Sequence, residues 1–135
     1  MNILASHTIM LGLTIVLIAI MLFTVGSLGS QWNDFSKDVQ TEKVCYDVKQ
    51  AVYDIYNPDY GNDVLLGQKQ IVLPEKITGA SYRISATGST IKITVLNATK
   101  SCEIGLPVMM NGSSTGGDVK IILKKISGGY FAEIV

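Results

Sequence analysis

No Asp, Glu, Lys or Arg occurs in the chain before Asp34, and the stretch TIMLGLTIVLIAIMLFTVGSLGS, residues 8–30, is almost purely apolar. Wound as an α-helix, this stretch is apolar on every side, whereas a helix on the surface of a soluble protein carries a polar face. A bilayer core requires about 20 helical residues, so the stretch is long enough to span one. It therefore constrains the chain to place this helix in lipid or among other apolar helices.

The rest of the composition narrows the class of protein. The 135 residues are the length of one domain, with 11 basic and 11 acidic residues and a formal net charge of zero. Binding to nucleic acid requires a basic excess or stripe, and this balance supplies neither. We therefore expect no nucleic-acid partner.

The apolar stretch differs from two common kinds of N-terminal segment, the secretory signal and the membrane anchor. A secretory signal has a basic lead and an apolar run of roughly 7–15 residues; here the lead is uncharged and the run Ile9–Val25 is longer, although Ser27-Leu28-Gly29 resembles a cleavage site. A conventional anchor is oriented by flanking basic residues, which the N-terminal side lacks. We expect a charged leader that is removed at or near Met1.

A second helical pattern follows the apolar stretch. No proline occurs before Pro58, so one helix is predicted from near Ile3 to near Tyr56, ending at Asn57-Pro58 and Gly61. From Gln31 onward its apolar residues recur at steps typical of an amphipathic helix. The residues predicted to pack this half against the rest of the chain are Trp32, Phe35, Val39, Val48, Val52 and Ile55.

Beyond Pro58 the period of the apolar residues changes to two, which indicates β-strands. Strong alternation covers residues 81–86, 90–95, 119–124 and 130–134, with hairpin turns at Thr87-Gly88-Ser89 and Ser127-Gly128-Gly129. Shorter strands are predicted at Ile71–Leu73, Val64–Leu66 and Glu103–Val108. An antiparallel sheet with one apolar face requires a cover, which the amphipathic half-helix supplies.

The predicted fold class is therefore α+β: a long N-terminal α-helix, apolar in its first half and amphipathic in its second, packed on a C-terminal antiparallel β-sheet or β-sandwich. The predicted segments are an apolar helix over 1–30, its amphipathic continuation over 31–57, and a β-rich head over 58–135.

This build resembles the type IV pilin superfamily, and within it most closely the archaeal pilins and archaellins. The stretches IVLPEKITGASYRIS, TIKITV and GSSTGGDVKII also look similar to small archaeal secreted proteins of pilin-like build. Bacterial type IV pilins carry a glutamate as the fifth mature residue, and position 5 here is Ala5. Archaeal members often lack that glutamate, so the resemblance favours the archaeal branch.

The resemblance implies a leader removed by a prepilin peptidase, an assembly machinery, membrane insertion before assembly, and a helical homopolymer with β-domains displayed outside the cell. It implies a filament core built from the apolar helix, where each copy is surrounded by other copies. The candidate filament-core residues are Ile9, Leu13, Val16, Ile18, Ile20 and Phe23.

The chain has two cysteines, Cys45 in the helix and Cys102 near the strands. They are either buried free thiols or a disulfide, and export across a membrane favours the disulfide. A bond between residues 57 positions apart stabilises a domain by about 4 kcal/mol in the chain-entropy model. Their spacing excludes a thioredoxin-like pair and a zinc ribbon.

Two sequons, Asn97-Ala98-Thr99 and Asn111-Gly112-Ser113, are predicted to lie in polar turns, where each is either a plain turn or a glycan acceptor. The sole histidine, His7, has no Cys, Asp or Glu near it in the sequence and is read as a polar residue near an interface. Asp59–Asp63 is rich in oxygen ligands but lacks the spacing and closing glutamate of a known calcium loop. No metal site or cofactor is predicted.

No nucleophile stands beside a base in the sequence, and no histidine-centred arrangement occurs, so no enzyme is predicted. The predicted function is that of a structural subunit of an extracellular type IV pilus-like filament, for adhesion or motility. The alternatives are a monomeric membrane-anchored surface-binding module and a minor pilin-like component of a secretion or assembly machine.

Overall fold

A computed structural model of the chain describes the backbone of residues 2–56 and 64–135, with side chains described over 5–56 and 67–135. Within these residues the elements are α1 (Asn2–Ile55), β1 (Val64–Leu73), β2 (Tyr82–Gly88), β3 (Thr90–Val95), β4 (Ala98–Glu103), β5 (Val108–Ser114), β6 (Gly117–Ile126) and β7 (Gly129–Ile134). The predicted α+β class is confirmed. The predicted helix end at Asn57-Pro58 and the stretch Asp59–Asp63 lie outside the described residues.

The chain divides into two compact units, Met1–Ser36 and Lys37–Val135. The first is the N-terminal part of α1, and every side chain from Ala5 to Phe35 in it is exposed. The second contains the remainder of α1 together with the strands. The division falls inside the predicted amphipathic segment 31–57, so most of that segment belongs with the sheet.

The seven strands form one sheet in the order β1-β6-β7-β5-β2-β3-β4. Neighbouring strands are antiparallel except for β5 and β7, which pair in parallel. The two predicted hairpins are present: Thr87 pairs with Thr90 across the β2–β3 turn, and Ile126 pairs with Gly129 across the β6–β7 turn. The two short predictions over 64–73 merge into the single strand β1.

The prediction of a strand over Glu103–Val108 is wrong, because residues 104–107 lie between β4 and β5. Both of these strands lack the apolar alternation that the prediction used: β4 reads ATKSCE and β5 ends in NGSS. β4 is an edge strand, so little of its surface is buried. These segments form strands because neighbouring strands pair with them, and not because their own sequences alternate.

Strand alternation places one face of the sheet against α1. The helix residues that are buried there are spaced by three and four: Thr41, Val44, Cys45, Val48, Ala51 and Val52, with Ile55 partly buried. The apolar strand residues that complete this core are Leu73, Tyr82, Ile84, Ala86, Ile91, Ile93, Val95, Val108, Met110, Val119, Ile121, Leu123, Ala132 and Ile134. Ile77 and Ile104, from the connections, fill its edges.

Three of the six predicted packing residues are not in this core. Trp32 is 73% exposed, Phe35 62% and Val39 50%, whereas Val48 and Val52 are fully buried. The step from Val39 to Val48 is nine residues, which is about two and a half turns at 3.6 residues per turn. The two halves of the predicted stripe therefore lie on opposite sides of the helix, and only the later half meets the sheet.

The parallel contact between β5 and β7 depends on Gly112. Its φ is +114°, a conformation that side chains disfavour, and a Cβ there would lie 2.2 Å from the carbonyl oxygen of Ile134. Only glycine allows the two strands to approach this closely. This glycine fixes the junction that joins the β6–β7 hairpin to β5 and β2.

Candidate functional site

Among the described residues, most of the exposed large apolar side chains lie in the N-terminal unit. Fourteen large apolar side chains between Ile9 and Leu28 are exposed, on every side of α1. All the candidate filament-core residues are among them, with exposed fractions between 52% and 80%: Ile9, Leu13, Val16, Ile18, Ile20 and Phe23. In the described part of the chain, α1 is the one helix long and apolar enough to cross a membrane. None of its most apolar 18-residue stretch is buried.

Three hydroxyl groups inside this apolar surface are paired within the helix. Thr14 donates its hydroxyl hydrogen to the carbonyl oxygen of Met10 at 2.8 Å, Thr24 to Met21 at 2.9 Å, and Ser30 to Ser27 at 2.9 Å. A polar group without a partner is costly in an apolar environment. Because the helix supplies their partners, these three hydroxyls are suited to surroundings that contain no water.

In the second unit, a disulfide ties α1 to the sheet. Cys45 on α1 is bonded to Cys102 on the edge strand β4, with the two Cα atoms 6.6 Å apart and 57 residues between them in sequence. These are the two cysteines for which the sequence predicted a bond. The cross-link fixes the middle of the packed helix face to one edge of the sheet.

Further contacts hold the helix on either side of the disulfide. Toward its start, the Gln40 side-chain oxygen accepts a hydrogen bond from the Thr78 amide at 2.9 Å. Toward its end, the Tyr53 hydroxyl donates to the Ile104 carbonyl oxygen at 3.0 Å. The Tyr56 ring meets the Tyr130 ring edge-on, with centroids 4.8 Å apart. The helix is thus attached to the connections and to the strands.

Surface ion pairs between α1 and the strands flank these contacts. Asp54 on α1 contacts Lys69 on β1, and the hydrogen bond from Lys69, with a second from Gln50, lowers the pKa of the Asp54 carboxyl. Lys100 on β4 contacts Asp38 at 2.8 Å, and that hydrogen bond raises the pKa of its ammonium group. Exposed pairs of this kind contribute little to stability.

The side of α1 that faces away from the sheet carries exposed apolar residues in the second unit as well. Val39 is 50% exposed and Tyr46 63% exposed. They are seven residues apart, about two turns, so they share one side of the helix. Sequence reasoning assigned Val39 to the core and passed over Thr41, Val44 and Ala51, although the spacing from Val48 back to Val44 and Thr41 already carried the signal.

The two sequons lie in different settings. Asn97 is exposed in the two-residue turn between β3 and β4, as predicted. Asn111 is also exposed, but the prediction of a turn there is wrong: it lies inside the central strand β5, between Thr87 and Glu133. A turn was predicted because NGSS is a turn-like sequence, but its pairing with β2 and β7 makes it part of a strand. A sequon acceptor is expected in a surface loop, which favours Asn97.

His7 is exposed in the N-terminal unit. Within the described residues no three His, Cys, Asp or Glu side chains are grouped so that they hold a metal ion.

The comparisons with known proteins identify a family but not an activity. The chain belongs to a family described as "Family of unknown function (DUF7266)", which matches residues 1–124. No curated protein and no solved structure matches the chain. The match covers both the apolar helix and most of the sheet, so the two parts belong to one family architecture.

Proposed function

We propose that this member of the family is a structural subunit that polymerises through its N-terminal helix into an extracellular filament of the type IV pilus kind. The observation that carries the proposal is the exposure of the apolar side chains from Ile9 to Leu28 on all sides of α1. Before assembly the same helix holds the subunit in the membrane. Removal of a leader by a prepilin peptidase and delivery by an assembly machinery belong to this proposal.

The exposed apolar surface of α1 costs free energy when it is left in water. Each square ångström of apolar surface left in water costs about 25 cal/mol relative to burial. No part of the most apolar stretch of α1 is buried within the chain. Lipid or other copies of the helix must cover this surface. The internally paired hydroxyls of Thr14, Thr24 and Ser30 suit both environments.

A second observation favours contact between copies over lipid alone. In the sheet-containing unit, Val39 and Tyr46 are exposed, and Val39 lies on the side of α1 opposite the packed face. A bilayer core accommodates about 20 helical residues, and the apolar residues from Ile9 to Leu28 already fill that length. The apolar surface around Val39 therefore lies beyond a single span, and a neighbouring copy covers it in the proposed filament.

The display of the β-sheet unit on the outside of the filament belongs to the same proposal. Adhesion or motility is the role that such a display serves, with glycan on Asn97 as an expected surface modification. The second candidate function is a monomeric membrane-anchored module, or a minor component of an assembly machine. It accounts for the apolar helix equally well but leaves Val39 and Tyr46 without a role.

The test is whether surface filaments contain this chain and depend on its helix. We expect filaments sheared from cells to contain it as a repeating subunit. Ile18→Lys should abolish them, because a lone charge buried among apolar helices costs several kcal/mol in every copy. Electron microscopy and the amount of chain in the sheared fraction measure the effect.

Ile18→Leu is the matched control, since it keeps an apolar side chain at the same position and should give filaments at normal yield. A further variant, Val39→Lys, adds a charge beyond the membrane span and should lower filament yield without removing the chain from the membrane. Normal filament yield from Ile18→Lys, or a chain found only as membrane-bound monomers, would replace the filament proposal with the monomeric anchor.

A further inference from the structure

Trp32 and Phe35 are aromatic side chains without a place in the core. They are 73% and 62% exposed, and their rings lie against each other with centroids 6.1 Å apart. Trp32 is the only tryptophan of the chain. Large aromatic side chains are costly to leave in water, so this pair requires a partner outside the chain.

The position of the pair along α1 matches the thickness of a bilayer. His7, the one ionisable side chain before Asp34, is 25 residues before Trp32, a distance of about 38 Å along a helix. A bilayer with its headgroup regions is about 40–45 Å thick, of which the hydrocarbon takes about 20 helical residues. With Ile9–Leu28 in the hydrocarbon, His7 lies at one interface and Trp32 at the other.

The residues around the pair also match the headgroup region. Within the same two turns the chain carries Gln31, Asn33 and Asp34, and Asp34 is on the opposite side of the helix from Trp32. In a helix normal to the bilayer, all these side chains lie at one depth, where aromatic rings and charges are both accommodated. In a dry bundle of helices, the Asp34 carboxylate would be buried at a large cost.

We propose that Trp32 and Phe35 form an interfacial anchor that binds the boundary between phospholipid headgroups and acyl chains and fixes the depth of α1 in the membrane. The ligand is the phospholipid bilayer, in the leaflet nearer the C-terminal part of the chain. The inference rests on the membrane stage of the proposed function, and it is independent of polymerisation.

The full chain in phosphatidylcholine vesicles tests the position, because Trp32 is the only tryptophan and reports its own surroundings. We expect its emission to shift to the blue on insertion. Lipids brominated near the glycerol end of the acyl chain should quench it more strongly than lipids brominated near the methyl end. The matched control, Leu22→Trp combined with Trp32→Phe, moves the reporter to mid-span and should reverse the order of quenching.

A second pair of variants tests the anchoring role. The Leu22→Trp reporter is compared in chains with Trp32→Phe, which keeps an aromatic pair, and with Trp32→Ala plus Phe35→Ala, which removes it. Loss of the anchor should broaden or shift the depth of the reporter. An unchanged depth would show that the aromatic pair does not position the helix.

The remaining outcomes overturn the inference in recognisable ways. An unshifted emission quenched only by aqueous acrylamide places Trp32 in water. A blue shift that grows with the protein-to-lipid ratio, with weak quenching by both lipids, places it between copies of the chain. If the chain does not float with the vesicles, the membrane stage of the proposed function fails as well. If it floats but fails the depth test, only the anchor is wrong.

Discussion

Both parts of α1 carry apolar residues, but the two parts use them in opposite ways. From Ala5 to Phe35 every side chain is exposed, whereas from Thr41 to Val52 one side of the same helix is buried against the sheet. The first part has apolar residues all round, and the second has them on two opposite sides. Apolar character alone thus indicates only that a surface is unfavourable in water. The angular position of the apolar residues around the helix determines which side packs against the sheet of the same chain.

Deletion of residues 1–36 gives the largest effect expected from this comparison. The remaining unit keeps the buried helix face, the disulfide and all seven strands, so it should fold as a soluble monomer with mixed helical and sheet circular dichroism. The full chain should require detergent or lipid. Sedimentation of both proteins measures the difference, and an aggregated or unfolded truncated chain would mean that the apolar helix supports the sheet.

Removal of the disulfide should have the next largest effect, confined to the second unit. Cys45→Ala with Cys102→Ala frees a loop of 57 residues and should lower the free energy of unfolding of the truncated unit by about 4 kcal/mol in the chain-entropy model. Denaturant unfolding of the truncated unit measures the loss. Reductant should destabilise the parent and leave the double variant unchanged; equal stability of the parent and the double variant would contradict the prediction.

A pair of valine substitutions gives the smallest and sharpest comparison. Val48→Ala removes a fully buried side chain and should cost about 2 kcal/mol of unfolding free energy. Val39→Ala makes the same chemical change on the opposite, half-exposed side of the helix and should cost less than about 0.5 kcal/mol. Denaturant unfolding of both variants of the truncated unit tests which side of the helix is packed. Equal losses of unfolding free energy would show that both sides are packed.

Much of the fold was predictable because the relevant signal is local. The apolar stretch and the absence of proline predicted α1, and strict alternation predicted β2, β3, β6 and β7 with their hairpin turns. The two cysteines predicted to be bonded, Cys45 and Cys102, are joined in the structure. For the helix, the strands and the turns, the residues that show the sequence pattern are the same residues that form the element. The pattern of neighbouring residues was therefore sufficient to predict these elements.

The misses have a common physical cause. Trp32, Phe35 and Val39 fit a helical step individually, but the step of nine residues to Val48 reverses the side of the helix. β4 and the NGSS end of β5 form strands because other strands pair with them. Asn111 is in a strand for the same reason, although its sequence reads as a turn.

By itself the sequence determined that a long helix, apolar and uncharged at its start, precedes a set of alternating strands, because helix and strand periods are properties of adjacent residues. The tertiary structure alone decided which side of the helix is buried and that β5 lies parallel to β7 in the order β1-β6-β7-β5-β2-β3-β4. These choices depend on pairing between residues remote in the chain. The close approach at Gly112, where a Cβ would meet the Ile134 carbonyl oxygen, exists only once both strands are in place.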